Sequence, residues 1–214
     1  MEKSIFSKVY MWMCIGLFIT FFSAFAVYTS PWALSLIFGS SLYYVIIIAE
    51  ILVAIFLSAR LTKMSKNTAK MLYLLYTFLT GLTFASIFVI FSMTSIISVF
   101  LISAIVFLVF AMIGRFTSID LTKLGTFILM ALLGIIILEI VNIFVLSETL
   151  NMFTCIVGLL IFFGYIAYDI QKIKKMSTYG IEEEKIAIYG AFELYLDFIN
   201  VFIRLLQILG KSRD

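Results

Sequence analysis

Six ionisable side chains stand where the sequence is otherwise apolar: Glu50, Glu139, Asp169, Glu193, Asp197 and Arg204. A charge at the centre of a bilayer costs about 2.5–3.5 kcal/mol on insertion scales, so such residues face other helices or water and mark ion or proton paths. The chemistry open to them is proton uptake and binding of hard cations such as Ca2+ through oxygen. There is no histidine, which removes most transition-metal sites and His-based catalysis. Cys14 and Cys155 stand alone in apolar runs and read as small buried side chains rather than a disulfide or ligand pair.

The densest polar stripe runs through segment 186–210. Glu193, Asp197, Asn200, Arg204 and Gln207 fall within about 80° of one another at 100° per residue. Phe192, Tyr195, Phe198, Phe202 and Leu206 take the opposite face. This pattern predicts a central helix whose polar stripe faces other helices or water, with Asp197 near mid-membrane. Asp169 ends the preceding apolar run, and a short charged loop joins the two. If the sixth span continues to Met176, Asp169 lies about 10 Å inside its end, and Asp197 about 18 Å inside the start of the seventh. That gap closes if the seventh helix starts a turn late or dips. Two carboxylates in one dry site titrate as a unit, since both cannot easily ionise, and the ionised pair is a ligand set for Ca2+. The alternative is that each aspartate bonds separately to Arg or backbone donors.

The remaining polar residues leave two readings each. Glu139 and Asn142, three residues apart on one face, suit a polar clasp between helices as well as an ion path. Glu50 lies deeper in its span, which favours a functional role. The run Glu182–Glu184 fits a solvated loop or helix start favoured by the helix dipole; a cation funnel is the lesser reading.

The elements that must position these groups follow from composition. Of 214 residues, 64% are apolar and 13% charged, about half the roughly 25% charge of a soluble domain. The apolar runs are continuous rather than alternating, which excludes an outer-membrane barrel. The expected fold is an all-α polytopic membrane protein, one seven-helix domain over residues 1–214. The spans are 9–29, 39–59, 71–92, 94–114, 124–146, 150–170 and 186–210, each long enough for a ~30 Å core. Glycines 81, 134, 158 and 164 allow close helix approach, Gly81 as part of Gly81-x-x-x-Ala85. A net charge of +3 is too small to suggest nucleic acid. Residues 1–8 run directly into the first span without a small-residue cleavage pattern, so no cleavable signal peptide is expected.

Lys and Arg set the orientation. Twelve fall in one set of loops: Lys3, Lys8, Arg60, Lys63, Lys66, Lys70, Arg115, Lys123, Lys172, Lys174, Lys175 and Lys185. Only Lys211 and Arg213 fall in the other. The N-terminus is therefore expected in the cytoplasm and, after seven crossings, the C-terminus outside; a re-entrant last segment would instead return it to the cytoplasm. Tyr28, Trp32, Tyr43 and Tyr44 mark the outer rim, and Tyr73, Tyr76, Tyr165, Tyr168 and Tyr189 the inner one.

Three stretches carry a family resemblance. They are Tyr165-Ile-Ala-Tyr-Asp169-Ile-Gln, Gly190-Ala-Phe-Glu-Leu-Tyr-Leu-Asp197-Phe-Ile-Asn200 with Arg204 beyond it, and Ser58-Ala-Arg60-Leu-Thr-Lys-Met-Ser. With Gly81-Leu-Thr-Phe-Ala-Ser in the third span, they resemble the transmembrane Bax inhibitor motif family over nearly the whole chain. The resemblance implies six helices wrapped around a central C-terminal seventh and a pH-sensitive calcium leak. It implies a di-aspartyl pH sensor at Asp169 and Asp197, which would also hold Ca2+ transiently, and Arg60 as a latch. Glu193 departs from the family, in which many members have a small polar residue there.

The expected function is a pH-sensitive calcium leak channel of a bacterial cell membrane. Glu50, Glu139, Glu193, Asn200 and Arg204 are assigned to the ion pathway. Ca2+, protons and lipid are the expected partners, with no cofactor and a monomer favoured over an oligomer. Ca2+/H+ exchange and a non-conducting regulator that binds other membrane proteins are the alternatives. An enzyme is not expected: Tyr168-Asp169 suggests an intramembrane aspartyl protease, but Asp197 follows Leu-Tyr-Leu rather than Gly-x-Gly.

Overall fold

The continuous apolar runs fold as helices because a chain in lipid must satisfy every backbone N–H and C=O within itself. The structure is a computed structural model and describes residues 2–60 and 63–213. Leu61 and Thr62, inside the Ser58–Ser65 motif, lie outside the described residues. The described residues form eight helices in order: α1 (Glu2–Thr29), α2 (Pro31–Phe38), α3 (Leu42–Arg60), α4 (Lys66–Ile90), α5 (Met93–Phe116), α6 (Thr122–Val145), α7 (Glu148–Met176) and α8 (Glu183–Leu209). All except α2 are long and apolar enough to cross a membrane. The fold is all-α; the described residues hold one isolated β-bridge, Phe91 to Ser212.

Helix ends overrun the apolar runs. α1, α4 and α8 begin earlier than their apolar runs and α7 continues to Met176, because hydropathy marks where lipid begins, not where a helix stops. The short α2 falls in a stretch expected to be loop. Its signals are local: Ser30 is the N-cap, its side chain accepting from Ala33 N, and Pro31 sits in the first turn, where its missing N–H and fixed φ are harmless. Asn142 closes α6 rather than clasping a neighbouring helix: its Oδ1 accepts from Ser147 N at 2.9 Å.

The described chain divides into two compact units. The first holds α1–α4, the start of α8 up to Tyr195, and the tail from Ser212. There α1 and α4 pack closely: a Cβ on Gly81 would collide with Ser23 Oγ and the Thr20 carbonyl. Thr20 Oγ1 donates to Thr77 O at 2.9 Å and meets Tyr195 Oη at 2.6 Å. Tyr73, Tyr76, Phe192 and Tyr195 stack edge to face, with centroids 5.3–6.2 Å apart, a geometry favoured by the ring quadrupoles. Tyr73 and Tyr76, and separately Tyr189, are buried rather than presented to a membrane interface. An internal acceptor replaces interfacial water for Tyr73, whose hydroxyl donates to Trp12 O at 2.9 Å.

The second unit holds α5, α6, α7 and α8 from Leu196. Phe198 packs on Phe100 and Phe107 at 5.2 and 5.8 Å, and Phe110 stacks on Phe163 at 4.5 Å. Gly134 does not mark a close approach: a Cβ there would meet no atom within 4 Å. α8 is the most buried span, 78% over its central window against 11–39% for the others. Its apolar face is buried throughout, with Phe192, Tyr195, Phe198, Phe202 and Leu206 all inside, while on its polar face Asp197 and Arg204 are buried, Glu193 and Asn200 half-buried and Gln207 exposed.

Candidate functional site

Asp169 and Asp197 both belong to the second unit, and each is only 3% exposed. α7 runs to Met176 as the shared-site geometry requires. α8, however, starts at Glu183 rather than a turn late, which puts Asp197 about 21 Å from its start and Asp169 about 10 Å from the end of α7. Lys172 Nζ, one turn beyond Asp169, lies 3.9 Å from its Oδ1. This cation was not singled out in the sequence, although its i,i+3 spacing is the signal that finds it. Arg60 is the last residue of α3 and is exposed. Glu193 is half-buried.

A second polar cluster gathers around Arg204, which is 9% exposed. Its Nη2 donates to Glu139 Oε1 at 2.9 Å and its Nη1 to Thr154 O at 3.1 Å. The guanidinium carbon stands 5.6 Å from the centre of the Phe162 ring, and Nε is buried without a hydrogen-bond partner. Cys155 Sγ lies 3.3 Å from both Arg204 O and Gln207 Oε1. Glu139, Asn151, Thr154, Asn200, Ile203, Arg204 and Gln207 line a cavity of about 240 Å³. Asn200 Nδ2 donates to Leu196 O of its own helix. A buried arginine needs this combination, since removing its charge from water is repaid only by a close counter-ion and further hydrogen bonds. Glu139 stands near the end of α6, Thr154 near the start of α7 and Arg204 near the end of α8, so the cavity sits at one end of the unit.

Glu50, in the first unit, is held by hydroxyls. Thr80 Oγ1 donates to its Oε1 at 2.8 Å and Thr83 Oγ1 to its Oε2 at 3.3 Å. The two threonines are three apart on α4, the spacing that puts both on one face.

The acidic run Glu182–Glu184 sits at the start of α8, as one of its two expected settings required, and each carboxylate also pairs with a lysine. Glu182 pairs with Lys66 at 3.3 Å, Glu183 with Lys8 at 3.0 Å, and Glu184 with Lys70. At the other end of the first unit, Arg213 N donates to Ile90 O at 2.9 Å and its guanidinium reaches Tyr28 Oη and Phe88 O. The start of α8 thus meets the starts of α1 and α4, while the tail beyond it meets their far ends.

The α5–α6 loop is tied to the end of α7. Lys175 Nζ lies 2.5 Å from Asp120 Oδ1, and Gln171 bonds the backbone at Leu121 and Ile119, both at 2.8 Å. The hydrogen bond from Lys175, assisted by Thr122, holds the Asp120 carboxyl well below the usual carboxylate range. Among the described residues no group of three or more Asp, Glu or Cys side chains converges as a closed cation cage.

Several known proteins match nearly the whole chain. An uncharacterised protein of Borreliella burgdorferi is 39% identical over 218 residues, covering 100% of this chain and 94% of its own. The inner membrane protein YbhL of Escherichia coli is 37% identical over 213 residues, covering 97% and 91%. The uncharacterised protein RP147 of Rickettsia prowazekii is 36% identical over 210 residues, covering 97% and 89%. The family model described as inhibitor of apoptosis-promoting Bax1 matches residues 2–214, and with seven apolar helices of spanning length this chain belongs to the Bax inhibitor family of membrane proteins.

Proposed function

We propose that this protein is a pH-sensitive calcium leak channel of the bacterial cell membrane, with Asp169 and Asp197 as its proton sensor. The observation that carries the reading is the burial of both carboxylates at 3% exposure in one unit. Buried carboxylates with restricted water are the groups whose protonation changes packing. When ionised they offer oxygens to a hard cation. The family resemblance gives Arg60, exposed at the end of α3, the role of a latch on the closed state. Glu50, Glu139, Glu193, Asn200 and Arg204 belong to the ion pathway in this reading, the other spans wrap around α8, and the protein works as a monomer.

The test is purified protein in liposomes loaded with a Ca2+ dye. The expected result is Ca2+ entry without a proton gradient, rising as pH falls from about 8 to about 6. Asp197→Ala should remove that pH dependence while leaving the protein folded. Entry only under a proton gradient indicates exchange instead, and no entry in either condition indicates a non-conducting regulator. The orientation follows the positive residues, with the N-terminus in the cytoplasm and the C-terminus outside. In a cysteine-free background, a cysteine appended to the C-terminus should react with an impermeant thiol reagent in intact spheroplasts. Labelling only after lysis would make the last segment re-entrant and return the C-terminus to the cytoplasm.

A further inference from the structure

Thr154, Gly158 and Phe162 recur every four residues on α7, which places them on one face. Arg204 lies across all three. Its Nη1 bonds the Thr154 carbonyl, its guanidinium stands over the Phe162 ring, and a Cβ on Gly158 would collide with Cζ, Nη1 and Nε. Only glycine leaves room for the guanidinium in this position against the helix. The far side of the guanidinium grips Glu139, the single carboxylate lining the adjoining cavity.

We propose that Gly158 and Phe162 form a socket that docks Arg204, and that the docked guanidinium is a tethered cation that closes this cavity to Ca2+ by occupying Glu139. The socket stands on geometry alone; the gating role rests on the channel reading above. The other lining groups, Asn151, Thr154, Asn200 and Gln207, are neutral, so an entering divalent cation must use Glu139. It cannot do so while the carboxylate is neutralised by an arginine that stays charged at every useful pH. Entry and docking are mutually exclusive, and loosening the socket opens the cavity. Gly158 is a positioning residue in this scheme: it acts only through Arg204.

Cys155, 2% exposed and against the Arg204 carbonyl, is a built-in reporter. In a Cys14→Ser background, two quantities are read in liposomes: the rate of Cys155 alkylation by N-ethylmaleimide, followed by mass, and Ca2+ leak at pH 8. Gly158→Ala should raise both several-fold. Arg204→Gln, which frees Glu139, should raise the leak at least as much. Combining the two should leak no more than Arg204→Gln alone, because a residue acting through another adds nothing once that one is gone. Phe162→Leu loosens the dock without adding atoms and serves the same reading if Gly158→Ala does not fold. Alkylation at the wild-type rate in the socket variants overturns the socket, as does an additive double variant. Faster alkylation with an Arg204→Gln leak equal to wild type overturns the gate. If neither wild type nor any variant passes Ca2+ while alkylation rises, the channel reading and the gate fall together and the socket stands.

Discussion

Glu183 Oε2 lies 3.0 Å from Lys8 Nζ, an ion pair that ties the first turn of α8 to α1 across 175 positions of sequence. Its neighbours extend the tie, Glu182 to Lys66 and Glu184 to Lys70, so three consecutive glutamates are held by lysines from two helices. The first turn of α8 also favours carboxylates through the helix dipole.

These pairs are partly exposed, with side-chain accessibilities of 26–49%, and exposed pairs contribute about 0.2–1 kcal/mol each. Glu183→Gln alone should therefore lower stability only slightly, and replacing Glu182, Glu183 and Glu184 together by Gln should lower it by about 1–2 kcal/mol. The loss should be largest near 50 mM salt and shrink toward 1 M, where the screening length falls to about 3 Å. Tm in detergent at the two salt concentrations measures it. An equal Tm difference at both would remove the ionic explanation.

Asp120 supplies a pH dependence of a different kind. Its carboxyl is held below the usual range by Lys175 and then Thr122, so what it adds to stability is complete above about pH 4 and is lost only as pH falls through the lowered folded value. Its side chain is 70% exposed, so the effect is small. The Tm difference between wild type and Asp120→Asn should be the same at pH 8 and pH 6 and narrow below about pH 4. A difference that changes between pH 8 and pH 6 would mean that Asp120 titrates there, contrary to its ion pair. The same variant should keep the wild-type rise in Ca2+ leak over that interval.

What the sequence made legible is the part governed by transfer from water to lipid. Continuous apolar runs located all seven spans, and the stripe from Glu193 to Gln207 identified the helix that is most buried. The helix ends were less legible, since Lys, Thr and Asn beyond the hydrocarbon remain helical in α4. Pairings were not legible. Glu50 was visible as an acid deep in its span, but its hydroxyl partners lie 30 and 33 positions away on α4. Arg204 was visible as an intramembrane cation, but its partner could have been any carboxylate on the polar faces. Gly158 appeared as one small residue among several, yet Gly134 faces open space and Gly158 faces a guanidinium. Composition cannot distinguish those two glycines; only a fold can.

The central prediction concerns Asp169 and Asp197 as a pair. α8 starts early, so helix counting from the connecting loop alone leaves them about 11 Å apart in level. Their common burial is the argument that they work together. A direct measure is a double-variant cycle on the pH response, defined as the ratio of Ca2+ leak at pH 6 to that at pH 8. Asparagine is close to the protonated acid in shape and cannot ionise, so each of Asp169→Asn and Asp197→Asn removes one proton site with little change in packing. If the two carboxylates form one titrating unit, either substitution alone should bring the ratio close to 1, and the double variant should add no further change. If each aspartate is held separately, each single variant should leave part of the response and the losses should sum. Additive losses would dissolve the shared sensor into two independent sites, and an unchanged ratio in both single variants would remove the aspartates from gating altogether.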